Sequence, residues 1–188
     1  MKISEIELNQ RRTAVVHAAT EVFLRYGYAR TTMVDLAGAA QVSRPTLYEL
    51  FPGKEQIFSA VVRSLSQTAL QQYREMLPNI QSLKEKLHRF CTDWGTHGLK
   101  LVELHPDAKD LFDLAVPAVR EMYEDFIHFL IEVISSEKHA SPIPVEKLVR
   151  NLVYSLRGLE DAAADVRQMD EMIGLQVDVF LKTFRNHG

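Results

Sequence analysis

Two short amphipathic segments separated by only three residues constrain the fold of this 188-residue chain more than any other feature. The first segment begins at Thr32, and Asp35 three residues later completes a capping box that marks a helix N-terminus. The second begins at Ser43, a favourable N-cap, and directs Leu47 toward a core. Residues 41–43 leave room only for a tight turn between the segments, so the sequence predicts a helix-turn-helix.

A further helix is predicted before this pair, because apolar residues recur at helical spacing from Val15 to Tyr26. In a three-helix unit of this kind, the last short helix keeps one face without a core to bury against. That face carries Arg44, Pro45, Thr46, Tyr48 and Glu49, and such a set can read base edges in a DNA major groove. The pattern alone also allows a small three-helix bundle with a solvated face.

The net charge of −3 hides an uneven distribution along the chain. Residues 1–63 carry eight basic and six acidic side chains, whereas the rest of the chain carries 14 basic and 19 acidic ones. This asymmetry is typical of a DNA-facing head of charge +2 on an acidic body of charge −5.

Composition argues against several other classes of protein. A single cysteine, Cys91, excludes an internal disulfide framework and a cysteine-based metal cluster. The content of 8 glycines and 7 prolines favours long helices over a loop-rich β fold. No stretch is long and apolar enough for a membrane span, and the N-terminal segment lacks the apolar region of a secretory signal. We therefore expect a cytoplasmic protein.

Three runs of the sequence resemble the N-terminal domain of TetR-family transcriptional regulators. They are TTMVDLA at 31–37, VSRPTLY at 42–48 and FPGKEQIF at 51–58, and the resemblance extends over about residues 9–60. It fixes residue types at many offsets, which a generic helix-turn-helix does not. The resemblance implies a DNA-binding head followed by a helical domain that binds an effector and dimerises.

The resemblance also implies roles for individual residues of the head. Contacts to phosphate or sugar fall to Thr32, Thr46, Tyr48 and Lys54, and contacts to bases fall to Arg44 and Pro45. The full set of residues predicted to bind DNA is Thr32, Ser43, Arg44, Pro45, Thr46, Tyr48, Glu49 and Lys54.

The head departs from the family pattern at three positions. Gln41 stands where the family usually has a glycine in the turn, a position that often needs positive φ, so we expect strain of roughly 1 kcal/mol there. Glu49 and Leu50 replace the aromatic and histidine residues often found at these positions. Because Glu49 repels phosphate but can accept a hydrogen bond from cytosine N4, the target sequence is expected to differ from those of better-known relatives.

Two domains are predicted, a DNA-binding domain at 9–53, with the helix-turn-helix at about 32–51, and an effector-binding and dimerisation domain at 54–188. Helices of the second domain are predicted at 54–76, 81–104, 107–115, 118–137, 144–164 and 168–185. Its middle helices carry large polarisable side chains, including Tyr73, Cys91 and Tyr123. The set predicted to line a pocket for a small, largely apolar effector is Trp94, His97, Phe112, Met122, Phe126, His128 and Tyr154. Trp94 and His97 rank highest, because nearby glycines could open space around them.

The last two predicted helices are apolar over more than one stripe, whereas a helix that packs only on its own core needs one. The second stripe indicates a partner, and the family forms dimers through a four-helix bundle of its last two helices. The residues predicted to contact the partner are Leu148, Leu152, Leu156, Leu159, Ile173, Val177 and Phe180. A second stripe that only widens the core face is the alternative.

Two other functions compete with this interpretation. Glu85 with His88 and Asp125 with His128 each form an acid-x-x-His pair, a motif that dimetal helical bundles use twice. Chance alone gives about one such pair in this composition, and no supporting acid pair or phosphate-binding loop accompanies them. A DNA-bound adaptor whose C-terminal domain takes a protein partner stays open.

The sequence thus predicts an all-α homodimeric repressor with no catalytic residue, metal, cofactor or membrane association. It binds a palindromic operator and is released by a small effector. The expected mechanism is a change in the distance between the two recognition helices, transmitted through the helix that follows the head.

Overall fold

The computed structural model describes residues 4–104, 113–135, 137 and 140–185, without the side chains of residues 97–103. Helices are the only regular elements in these ranges, which confirms the all-α prediction. They are α1 (Glu5–Arg30), α2 (Met33–Ala39), α3 (Arg44–Leu50), α4 (Lys54–Met76), α5 (Leu83–Leu104), α6 (Pro117–Ile134), α7 (Val145–Ala162) and α8 (Val166–Arg185). A short 3-10 helix, Leu77–Asn79, follows α4.

The helices group into two compact units. The head unit comprises Met1–Gln67 and Val102–Met122, and the body unit comprises Thr68–Leu101 and Tyr123–Gly188. The functional boundary predicted at residue 53 stays a prediction.

An aromatic core holds α1 and α4 of the head unit together. Phe23 of α1 and Phe58 of α4 are fully buried, and their rings meet edge to face at 5.2 Å between centroids. The ring of Tyr28 adds a third contact, 4.7 Å from that of Phe58. The chain reaches Tyr28 through a break in α1 at Gly27, whose φ of 71° a glycine adopts without steric cost.

The turn of the helix-turn-helix is a Schellman motif. The N–H of Val42 donates to the carbonyl of Ala37 at 3.1 Å, and that of Gln41 donates to the carbonyl of Gly38 at 3.2 Å. Gln41 has φ of 54°, which confirms the expected left-handed conformation at a residue that is not glycine. These hydrogen bonds satisfy carbonyl groups in the last turn of α2, and the turn determines where α3 begins.

Aromatic side chains in tilted and edge-to-face contact form the core of the body unit. Phe90 of α5 is fully buried, and its ring centroid lies 4.7–6.0 Å from those of Tyr73, Trp94, Phe126 and Phe129. The cluster joins α4, α5 and α6 within this unit. Burial also raises the pKa of the Cys91 thiol to about 12, so this neighbour of Phe90 stays protonated at neutral pH.

Helix α5 packs closely on α8 at Gly95. A Cβ atom at this position would lie 2.6 Å from Met169 Cε and 3.2 Å from Ile173 Cδ1. The prediction that this glycine opens space beside Trp94 is therefore wrong, because α8 side chains fill the place that the missing Cβ leaves.

The predicted helix bounds in the second domain agree closely with the structure for α4, and differ by one to three residues at most other ends. Residues 107–112 of the predicted helix at 107–115 lie outside the described residues. Asp113 to Val116 form a turn, in which the Val116 N–H donates to the Asp113 carbonyl at 2.9 Å. Pro117 then starts α6, since a helix tolerates proline in its first turn.

Candidate nucleic-acid interface

The N-terminus of α2 is closed by the predicted capping box. The Asp35 N–H donates to Thr32 Oγ1 at 3.3 Å, and the Thr32 hydroxyl and N–H donate to Asp35 Oδ2 at 2.6 and 2.8 Å. These hydrogen bonds from Thr32 hold the pKa of the Asp35 carboxyl below its ordinary value, so the group is ionised at neutral pH. The Thr32 hydroxyl already donates and accepts within the chain, and a phosphate would have to compete for it.

Helix α3 is oriented by its cap and by its buried face. Ser43 Oγ accepts a hydrogen bond from the Thr46 N–H at 3.2 Å and lies 2.8 Å from the Thr46 hydroxyl. Leu47 and Leu50 are buried in the head unit. Ser43, which the sequence predicts to bind DNA, thus caps the N-terminus of α3 and fixes where this helix begins.

The opposite face of α3 is exposed. Arg44, Pro45 and Glu49 are exposed, and Tyr48 keeps 46% of its surface accessible. Within the described part of the chain, the charged and phenolic groups of this face make no hydrogen bond or ion pair. A recognition helix needs this arrangement, because its polar groups must be available to base edges and phosphates.

The Lys54 ammonium forms hydrogen bonds within the chain, and the sequence does not indicate these contacts. Its ammonium donates to the Tyr28 carbonyl at 2.7 Å and to the Ala29 carbonyl at 3.4 Å, and it lies 4.3 Å from the centroid of the Tyr28 ring. The cation thereby ties the start of α4 to the end of α1. Any contact with phosphate would share an ammonium that already bonds to backbone carbonyls.

We expect Lys54→Met to lower the free energy of unfolding by about 1–2 kcal/mol, because the Tyr28 carbonyl loses a charged donor. It should also lower the slope of log affinity against log salt by about 1 on any duplex. Denaturant unfolding and salt-dependent fluorescence anisotropy measure the two effects. Lys84→Met, which breaks only the exposed ion pair with Asp178, is the matched control. Loss of stability with an unchanged slope would assign Lys54 to the fold alone.

Arg12 is a residue of the head that the sequence analysis missed. Its Nε donates to the carbonyl of Leu50, the last residue of α3, at 3.2 Å. Its guanidinium carbon lies 5.9 Å from the centroid of the Phe51 ring. No sequence signal identifies a contact between residues 38 positions apart.

The residues predicted to line an effector pocket are only partly brought together. In the body unit, the Trp94 ring lies 4.6 Å from that of Phe126 and 4.9 Å from that of Tyr123, which stacks on Tyr154 at 5.5 Å. Tyr123, which was not in the predicted set, is therefore the ring that connects Trp94 with Tyr154.

The other predicted pocket residues have different outcomes. His128 is exposed to solvent, which argues against its place in an interior pocket. Met122 is half-buried and belongs to the head unit. Phe112 and the side chain of His97 lie outside the described residues.

Most residues predicted to contact a partner protomer lie in the chain's own core. Leu152, Leu156, Ile173, Val177 and Phe180 are at most 5% exposed, and Leu148 and Leu159 are half-buried. The assignment of stripes on α8 therefore needs correction, because the Ile173 stripe faces inward. The stripe that faces outward carries Leu175, 67% exposed, and Val179, 52% exposed.

The two acid-x-x-His pairs do not come together as a metal site in the described residues. There, no group of three His, Cys, Asp or Glu side chains lies close enough to hold a metal ion. His88 instead lies 3.5 Å from Asp170 of α8, and Asp170 accepts a hydrogen bond from the Thr92 hydroxyl at 2.9 Å. As for membranes, the described helices include none with the length and hydropathy of a membrane span.

Comparison with known proteins agrees with this geometry. Residues 15–61 match the family described as "Bacterial regulatory proteins, tetR family". The chain is 26% identical over 131 residues to YhgD of Bacillus subtilis, an uncharacterized HTH-type transcriptional regulator, covering 68% of this chain and 66% of the relative. It is 36% identical over 62 residues to the HTH-type transcriptional regulator TtgR of Pseudomonas putida, covering 33% and 30% of the two chains. It thus spans less than two thirds of the length of these relatives.

Solved structures share the fold over nearly the whole chain. The crystal structure of RolR in complex with resorcinol has a TM-score of 0.73 at 13% identity, covering 98% of this chain and 92% of that one. A TetR-family transcriptional regulator from Pectobacterium atrosepticum has a TM-score of 0.72 at 18% identity, covering 97% and 98%. The capped helix pair, its exposed polar face and these matches identify a helix-turn-helix domain of the kind found in DNA-binding regulators. Over residues 15–61 the chain matches the TetR-family model, which confirms the resemblance found in this part of the sequence.

Proposed function

We propose that the chain is a cytoplasmic, homodimeric repressor that a small, largely apolar effector releases from a palindromic operator. The observation that carries the DNA-binding step is the exposed face of α3, on which Arg44, Tyr48 and Glu49 have no described partner within the chain. Selection of bound duplexes from a random pool at moderate salt tests it. A palindromic motif is expected, and no enrichment at any salt would contradict the proposal.

Arg44 is the best candidate for reading a base. Its side chain is exposed at the first position of α3, and a guanidinium can take guanine O6 and N7 together. We expect Arg44→Ala to cost about 1–3 kcal/mol of binding free energy and to relax preference at one position of each half-site. Repeating the selection with the variant measures this. Equal losses on every duplex would make Arg44 a phosphate contact.

The same geometry supports a dimer, because one short recognition helix contacts too few base pairs to specify a genomic site. The outward stripe of α8 offers Leu175 and Val179, two apolar residues that the protomer leaves in water. On α7, Gly158 is exposed, and a Cβ atom there would meet nothing within 4 Å. We propose that these surfaces of α7 and α8 form the dimer contact.

The effector is proposed to bind at the aromatic cluster around Trp94. Apolar walls with a few polar groups are typical of small-molecule sites. The Tyr154 hydroxyl donates to Glu124 Oε1 at 3.3 Å, and Glu160, 10% exposed, pairs with Arg157 at 2.8 Å. Burial raises the pKa of Glu160 above its ordinary value. Because RolR was solved with resorcinol, a small hydroxylated aromatic compound is the first class of effector to test.

The chain carries its own reporter for this test. Trp94 is the only tryptophan, so intrinsic fluorescence reports directly on the proposed site. Resorcinol and related phenols are titrated with and without the selected operator duplex. Because coupling between two sites is reciprocal, an effector that releases DNA must bind more weakly when DNA is present. Equal affinities would contradict release by the effector, and failure of every small aromatic compound to bind would favour the adaptor function.

A further inference from the structure

The last residue of the recognition helix is fastened to α1 by one arginine. Arg12 donates from Nε to the Leu50 carbonyl at 3.2 Å, and its guanidinium lies over the ring of Phe51, the residue that ends α3. Leu50 and Phe51 are buried. The contact therefore joins an exposed side chain of α1 to the buried end of α3.

This contact matters because α3 has only seven residues. The last carbonyl groups of a helix have no partner within it, and in a helix this short they are more than half of the total. The Phe51 N–H satisfies the Leu47 carbonyl at 2.8 Å, and Arg12 satisfies that of Leu50. A positive charge at a helix C-terminus is also favourable. Ser43 at one end and Arg12 at the other thus hold the helix that carries Arg44.

The remaining N–H groups of Arg12 are available. A guanidinium has five, and the bond to Leu50 uses the one at Nε. Within the described part of the chain no carboxylate pairs with Arg12, whereas Arg63, Arg150 and Arg157 each have an acidic partner. The side chain is exposed. Two Nη groups in a plane suit the oxygens of a phosphate.

We propose that Arg12 is a positioning residue that couples a DNA phosphate to the recognition helix. Its Nη groups bind a backbone phosphate while Nε holds the carbonyl of Leu50, so phosphate binding fixes the orientation of α3. The inference rests on the proposed DNA-binding function. It predicts that Arg12 contributes to affinity on every duplex and also to the preference for the operator, although it reads no base itself.

Two substitutions separate these roles. Arg12→Gln removes the charge, whereas Arg12→Lys keeps it but cannot hold a carbonyl and a phosphate in the geometry of a planar fork. Arg11→Gln is the matched control, because Arg11 is the exposed neighbour of Arg12 and its described electrostatic influence is on Glu7 of the same helix. Each variant is measured on the selected operator duplex and on a random-sequence duplex of the same length, over a range of salt.

We expect Arg12→Gln to lower the salt slope by about 0.9 for each phosphate that the variant no longer neutralises. We expect it to reduce the ratio of operator to random affinity by at least about tenfold, as removal of a charged hydrogen bond would. Arg12→Lys should keep the salt slope but lower the ratio of operator to random affinity. Arg11→Gln should leave that ratio unchanged. If circular dichroism shows that Arg12→Gln does not fold, the affinity ratios of Arg12→Lys and Arg11→Gln still test whether Arg12 positions α3.

Three results would overturn the inference. An unchanged salt slope in a folded Arg12→Gln would mean that Arg12 meets no phosphate. A wild-type ratio of operator to random affinity in Arg12→Lys would mean that the contact with Leu50 does not position α3. If the wild-type protein binds its operator normally, either of these two results overturns the inference alone. If the wild-type protein prefers no duplex, the proposed function fails, and the inference fails with it.

Discussion

Replacing Leu175 and Val179 together with glutamate should convert the proposed dimer into folded monomers and lower operator affinity by about 10²–10⁴-fold, the usual gain from linking two binding modules. The two side chains are 67% and 52% exposed in the protomer, so their replacement removes no core packing. Two carboxylates on this stripe would have to be buried against a second copy, and an unpaired charge in such a place is strongly unfavourable. Sedimentation velocity measures the assembly, and fluorescence anisotropy measures the affinity.

Matched variants make this result specific. Leu65→Glu places the same charge at another exposed apolar position, 43% accessible on α4, and should leave both assembly and DNA binding unchanged. Ile173→Glu, at a fully buried position of α8, should instead unfold the protomer. A double variant that remains dimeric would remove the outward stripe of α8 from the interface.

Phe90→Ala should cause a large loss of stability, about 3–5 kcal/mol in the free energy of unfolding. Phe90 is fully buried, and its ring contacts those of Tyr73, Trp94, Phe126 and Phe129. The substitution removes these contacts and leaves a cavity that the surrounding rigid rings cannot fill. Urea unfolding followed by circular dichroism measures the loss, with the protein concentration held fixed because dimers gain stability with concentration.

A smaller substitution at the same position distinguishes packing from other causes. Phe90→Leu keeps most of the apolar volume, so its cost should stay below about 1.5 kcal/mol. If the two variants lost equal stability, the volume of the side chain could not be the cause.

The parts of the fold that the sequence predicts well are those determined by neighbouring residues. The capping box of Thr32 and Asp35 and the cap at Ser43 form as predicted, because each requires only residues three positions apart. The left-handed conformation of Gln41 follows from the length of the turn. Such features depend little on the rest of the chain.

The orientation of α8 was not predictable in the same way. Its two apolar stripes are similar in composition, and the choice between them depends on which side meets α5 and α7. Gly95 admits Met169 and Ile173 close to α5, and this places the Ile173 stripe inside and Leu175 outside. A periodic pattern reports that a stripe is apolar but not what covers it.

In the candidate site, too, features set by neighbouring residues could be predicted and features set by helix packing could not. The exposed face of α3 could be predicted, since a short capped helix with Leu47 inward leaves Arg44 and Tyr48 outward. The cations that bond to backbone carbonyls could not be, because Lys54 and Arg12 reach residues 26 and 38 positions away. Contacts of this length depend on how the helices pack and carry no local signature.

The turn at Gln41 has a consequence for the stability of the head. A side chain in the left-handed region costs about 1–2 kcal/mol, and a glycine avoids that cost but loses about 0.5–1 kcal/mol through the greater freedom of its unfolded backbone. The cost that glycine avoids is the larger of the two, so the balance favours glycine by up to about 1.5 kcal/mol. Glutamine at this position therefore keeps the turn at a small cost in the stability of the head.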